Sequence, residues 1–257
     1  MTRPGDETFS LRTAWLSGPR LIGRAPRAFF SWVLLRMVGQ YVAMAGALGL
    51  RAAHVDPLAS SLWGAAIDLP FQAVLMTAAV RGCLDLGDPR RAFLGLGRTE
   101  GRMLLLILLA GLTAMLIGLP VSIVASYVAY LFKLKLLAGS VLAVGTAVAA
   151  VSLMRLATLP AAVVDLGRLD LAAALAASRG RYLALTASVL LAALIERLAQ
   201  DSLRALLDPP LLMTWTALIS PPRLVAVLWE SLTAILSLAV MAGVTTTAWR
   251  AKRQTLS

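Results

Sequence analysis

The sequence predicts an all-α, polytopic membrane helix bundle of about six transmembrane helices with short interfacial helices between them. Three observations carry that expectation. Apolar residues make up 59% of the 257-residue chain and charged residues only 14%, whereas a soluble domain is about 25% charged; mean hydropathy is +0.81. The apolar residues gather into runs long enough to cross a hydrocarbon core of about 30 Å, which takes about 20 helical residues. The basic residues, which leave a net charge of +11, sit beside those runs, where they act as topology signals and headgroup partners rather than as a nucleic-acid footprint. No nucleic-acid partner is expected.

Residues 1–28 are polar, arginine-rich and interrupted by Pro4, Pro19 and Pro26. Leu11 and Trp15 point away from the face that Phe9 and Leu16 share, which predicts a cytoplasmic, partly interfacial arm. The arm has no apolar core followed by a small-residue cleavage site, so the first span is expected to serve as the insertion signal. The spans are read at about 29–50, 58–80, 103–132, 136–164, 182–199 and 223–249, with 250–257 as a cytoplasmic tail. Pro70 in the second removes the hydrogen bond to the Ala66 carbonyl, a break that a membrane tolerates where protein covers it. The third is roughly 45 Å long if straight and must tilt, kink at Pro120 or project into solvent. Gly139, Ala143 and Ala147 give the fourth a seam of small residues for close helix approach. Between 203 and 222, an apolar stretch with Trp215 lies between proline pairs and is too short to cross, so an interfacial or re-entrant helix is expected.

The largest hydrophilic loop follows the second span. Asp88-Pro89 is a helix-start pair, and Arg91, Arg98 and Arg102 fall within about 40° of one another on a helical wheel, opposite Phe93 and Leu96. That pattern predicts a short helix in the interface with its arginines toward lipid headgroups. A second connector, residues 155–183, is alanine-rich and carries Arg168, Arg179 and Arg181; its charges lie on two sides of the wheel, which suits packing between protein surfaces with the arginines snorkelling.

No signature of an enzyme is present. Gly95, Gly97 and Gly101 approach a dinucleotide fingerprint, but the third glycine is one place late and no strand precedes it. His54 is the one histidine and Cys83 the one cysteine, too few for a metal set or an internal disulfide, so no cofactor or metal is expected. The chemistry-bearing candidates are the charges within spans: Arg36, Asp68, Arg155, Glu196 and Glu230. Such charges are costly at membrane depth and face the bundle interior, pair, or line a water path. Arg36 and Asp68 differ in depth by roughly 8 Å at 1.5 Å per residue, within an arginine's reach.

Two stretches carry a family resemblance. In Arg155 to Leu183, Leu159-Pro160 leads an apolar run that closes on Asp165, followed by a small-residue helix ending Ser178-Arg-Gly-Arg181. In Arg81 to Leu104, Asp88-Pro89, Ala92-Phe93 to Leu96, and Glu100 to Arg102 lead into an apolar helix. These resemble the YciC-like family of bacterial polytopic membrane proteins, in its alphaproteobacterial type, and the membrane domains that accompany some glycerophosphodiester phosphodiesterases. The resemblance implies a six-helix protein of the bacterial cytoplasmic (inner) membrane. The hydrolase activity of the phosphodiesterases belongs to a separate soluble domain and is not implied.

The functional expectation is a non-enzymatic structural or accessory membrane protein whose basic connectors bind anionic lipid, a membrane-protein partner or a second copy of the chain. The alternative is a small-molecule or lipid transporter that uses the intramembrane charges. Sixteen basic residues fall on one side of the six-span model and six on the other, which places both termini in the cytoplasm under the positive-inside rule. Reporter fusions after Ser257 and near Ala53 are expected to read cytoplasm and periplasm respectively; a periplasmic signal at Ser257 overturns the orientation.

Overall fold

The computed structural model describes residues 10–54, 56–132, 156–207, 216 and 219–253, and every regular element among them is helical. These are α1 (Leu11–Arg24), α2 (Pro26–Ala52), α3 (Pro57–Cys83), a 3-10 turn (Pro89–Arg91), α4 (Arg98–Phe132), α5 (Leu159–Leu166), α6 (Leu171–Ser178), α7 (Tyr182–Leu207) and α8 (Pro221–Arg253). Most of the expected fourth span with its small-residue seam, Arg155, and most of the 203–222 segment lie outside the described residues.

Local chemistry sets the boundaries. Pro26 opens α2, where a missing N–H costs nothing. Asp56 accepts from the Ala59 amide at the start of α3, and Asp170 accepts from the Ala173 amide at the start of α6. Gly167 ends α5 in the left-handed conformation, at φ 63°.

The long helices carry apolar side chains outward as well as inward. On α2, Phe30, Leu34, Val38 and Val42 form an outward stripe at four-residue spacing while Trp32 and Val33 are buried. Leu105, Leu108, Leu112 and Leu116 of α4 and Leu190, Leu191, Leu194 and Leu198 of α7 are likewise exposed. In water so much contiguous apolar surface would aggregate; in lipid it is the ordinary exterior. Among the described residues α2, α7 as far as Leu203, and α8 are each long and apolar enough to cross a bilayer. The chain is an all-helical membrane protein.

Two helices form the centre. α3 packs against α1, α2, α4, α5 and α8, and α8 packs against α1, α2, α3, α5, α6 and α7. α3 packs as expected of a helix that faces protein; Pro70 stays within a continuous α3, yet the residue itself is exposed and lines an apolar groove with Leu35, Phe71, Val74 and Leu96.

The N-terminal segment also differs from its expected form. Residues 11–24, expected as a partly interfacial arm without a clear apolar face, are an amphipathic helix docked on α8. Ala14, Gly18 and Leu21 face inward, whereas Arg12, Arg20 and Arg24 face out. A methyl group on Gly18 would fall on the Ala239 carbonyl and 2.8 Å from the Val240 nitrogen; one on Gly243 would fall on the Ser17 hydroxyl and 2.8 Å from the Gly18 nitrogen. Each glycine is therefore the space that the other helix occupies. The wheel reading failed because it set Phe9 and Leu16 against Leu11 and Trp15; counted over the helix itself, Trp15, Leu21 and Ile22 share a side with Ala14 and Gly18, away from Arg20 and Arg24.

The expected interfacial helix over 88–102 does not form. Asp88 does cap a turn, accepting from the Arg90 amide at 2.8 Å with Pro89 in first position, but the turn ends after Arg91. Ala92 and Phe93 both adopt left-handed backbone conformations, at φ 53° and 57°, which costs about 1–3 kcal/mol at each non-glycine position. The reversal sends Phe93 into the core beside Trp32, with ring centroids 6.4 Å apart, and leaves Leu96 in the open. Arg91 consequently does not share a helical face with Arg98 and Arg102.

Gly18→Ala is expected to destabilise the detergent-solubilised protein by about 1–3 kcal/mol through overpacking. Gly23→Ala, with nothing within 4 Å of the added carbon, is expected to be neutral or to stabilise by up to about 1 kcal/mol. Thermal melting compares the two; equal melting points would refute the glycine-notch docking of α1.

Candidate functional site

The candidate site residues and the contacts around them lie at two levels. At depth, Arg36 of α2 points its Nη1 to both carboxylate oxygens of Asp68 on α3, at 2.6 Å each. Asp68 Oδ2 also accepts from Gln72 Nε2, one turn along α3, at 2.8 Å. The two charged side chains are only 16% and 14% exposed, so each neutralises the other where bare charge would be expensive. Further along α2, the Gln40 side-chain carbonyl accepts from the Ser231 hydroxyl of α8 at 2.8 Å. Glu230, next to Ser231, is buried. Glu196 stays within its own helix and accepts from Gln200 at 3.1 Å. Arg36 and Asp68 are thus brought together, Glu196 and Glu230 sit on α7 and α8, and Arg155 lies outside the described residues.

The second level is the end of the bundle where α3 finishes, α4 begins and α8 finishes. Trp32 donates its indole N–H to the Ala92 carbonyl at 2.8 Å, which fixes the strained reversal against α2. Arg81 pairs with Glu100 at 2.5 Å, joining the end of α3 to the start of α4. Arg250 pairs with Asp85 at 2.9 Å. Asp165 is shared: one oxygen accepts from the Trp249 indole and the other from Arg253, both at 2.9 Å. Arg181 donates to the Ala248 carbonyl at 3.2 Å, and the Thr158 hydroxyl donates to the Ala174 carbonyl at 2.8 Å, binding α5 to α6. Asp170 caps α6; the hydrogen bond from the Ala173 amide, helped by Arg168, holds its carboxyl below the usual carboxylate range. Its contribution to stability is therefore present above the ordinary carboxylate pKa and is lost as pH falls through the lowered value.

The arginines expected to meet lipid or a partner divide by their surroundings. The Arg91 side chain is 85% exposed and only 4.0 Å from Asp88. Arg98 and Arg179 are exposed. Arg168 is exposed but tethered to Asp170 at 2.9 Å. Arg102 and Arg181 are half-buried; Arg102 reaches the turn after α5, where a methyl group on Gly167 would lie 3.8 Å from its Nη1. That approach brings the two connectors of the sequence together at one end of the molecule. Asp85, Asp165 and Trp249 also belong to this end; the sequence marks Asp165 as the close of an apolar run and Trp249 as the exit of the last span, but none of the three was expected in a site. A partner 84 residues away cannot be read from spacing.

Single substitutions Arg36→Gln or Asp68→Asn are each expected to lower the yield of folded protein, since removing one partner of a buried pair costs about 3–5 kcal/mol. The double variant is expected to recover much of the loss. Size-exclusion chromatography of a fluorescent fusion measures this; a double variant worse than either single would argue against a structural pair. No protein-family model, no curated protein and no solved structure matches the chain significantly.

Proposed function

We propose that this chain is a six-span, non-enzymatic protein of the bacterial cytoplasmic membrane, related to the YciC-like proteins, with both termini in the cytoplasm and an accessory role that depends on holding anionic lipid at its basic end. The observation that supports it is the division of charge. Arg36 and Asp68 cancel at depth, whereas Arg91, Arg98 and Arg179 stand exposed on the connectors between α3, α4, α6 and α7. Exposed arginines gathered at a membrane interface attract anionic headgroups, by about 1 kcal/mol per residue. A membrane-protein partner bearing acidic loops would use the same residues. Transport, the other reading, would draw on the charges at depth, and the mutual neutralisation of Arg36 and Asp68 weighs against it.

The test is lipid analysis after purification in mild detergent from membranes containing phosphatidylethanolamine and phosphatidylglycerol. Phosphatidylglycerol is expected to be enriched over its bulk fraction, and the triple variant Arg91→Gln, Arg98→Gln, Arg179→Gln is expected to lose about 3 kcal/mol of that preference. Retained lipid of bulk composition in the unmodified protein would refute the proposal.

A further inference from the structure

The end of α8, the turn between α5 and α6, and α6 itself enclose a cleft of about 240 Å³. One water needs only roughly 10–15 Å³, so the cleft admits a group of several heavy atoms. Its floor is apolar, made by Leu166, Ala173, Ala176 and the Trp249 indole, and its rim carries Arg168, Lys252 and Arg253 with Asp170. Both nearby carboxylates are already engaged. Asp165 accepts from Trp249 and Arg253, and Asp170 accepts from the Ala173 amide and Arg168. They fix the two guanidinium groups without exhausting them: an arginine has five N–H donors, and the Arg168 and Arg253 side chains remain 72% and 66% exposed. Oriented guanidinium groups suit a tetrahedral oxyanion, and arginine is favoured where several N–H donors must meet one phosphate.

We propose that this cleft is a binding site for a phosphate ester, with the phosphate held by Arg168 and Arg253 and the attached carbon skeleton resting on the apolar floor beside Trp249. The proposal rests on the reading of the basic end as an anion-binding surface and names one site within it. The exposed arginines elsewhere would supply a diffuse attraction, and the cleft a discrete, saturable one.

Protein purified in a neutral detergent is titrated with short-chain phosphatidylglycerol, with short-chain phosphatidylcholine and with inorganic phosphate, followed by tryptophan fluorescence, with Trp249→Phe identifying the reporter. Saturable binding of phosphatidylglycerol is expected. Arg168→Gln, at an exposed position where folding is not at stake, is expected to weaken it roughly tenfold, as for one lost charge-assisted hydrogen bond, and Arg168→Lys to restore part of it. Arg197→Gln removes the same charge elsewhere and is expected to change nothing. A response to phosphatidylglycerol alone identifies a lipid headgroup as the ligand; an equal response to inorganic phosphate identifies a soluble phosphate ester. Saturable binding unaltered in both Arg168→Gln and Arg253→Gln overturns the cleft while leaving the broader reading intact. Equal binding of phosphatidylcholine, which carries the same phosphodiester, overturns the anionic-lipid reading; no saturable response to any of the three ligands overturns both.

Discussion

Inside a bilayer, apolar side chains gain nothing by leaving lipid for protein, so a helix bundle must be held by close approach of backbones and by polar contacts. α8 satisfies both conditions. Gly243 and Ala239 let α1 settle onto its backbone, Ser231 reaches Gln40 of α2, and the Trp229 indole N–H meets the Ala199 carbonyl of α7 at 2.8 Å. Its buried threonines spend their hydroxyls on their own helix, as Thr246 does on the Ala242 carbonyl at 2.7 Å, which leaves a smooth, small-residue surface for neighbours. α1, α2, α3, α5, α6 and α7 each meet this helix.

The basic end is built on a similar logic with charge in place of small residues. Asp85, at the end of α3, and Asp165, in α5, both hold arginines of the last turn of α8. Sequence-distant segments are thereby clasped at one level, and the reversal at Ala92 and Phe93 is held open by the Trp32 hydrogen bond and the burial of Phe93. A turn of that conformation would not persist without such anchors. The acids at this end are consumed in fastening helices, and the exposed arginines that remain give the surface its positive character.

Much of this was legible in sequence because membrane helices are written in long apolar runs and because depth can be counted along them. The pairing of Arg36 with Asp68 was within reach of such counting, since both lie in neighbouring spans and the residues between set their heights. The docking of α1 was legible only in part: Trp15, Leu21 and Ile22 fall on one side of the wheel with Ala14 and Gly18, but which helix that side meets depends on Ala239 and Gly243 standing opposite. The segment after Asp88 carried genuine start signals, and Asp88 and Pro89 do begin a turn. What the wheel could not weigh was the tertiary demand that Phe93 reach the core beside Trp32. The sharing of Asp165 by Trp249 and Arg253 is likewise a property of the folded molecule alone.

The contact between α1 and α8 has a consequence for assembly. α1 is the first helix described here and α8 the last, so the surface that α1 requires does not exist while the intervening helices are being inserted. During that interval Ala14 and Gly18 lack the helix on which they pack, while Leu21 can already meet Gly82 of α3. Insertion of α8 then brings the first and last of the described helices together, the pair most distant in sequence among them. Contacts of that kind are slow to form, so the docking of α1 on α8 is expected to be a late step, after neighbours such as α2 and α3 have packed.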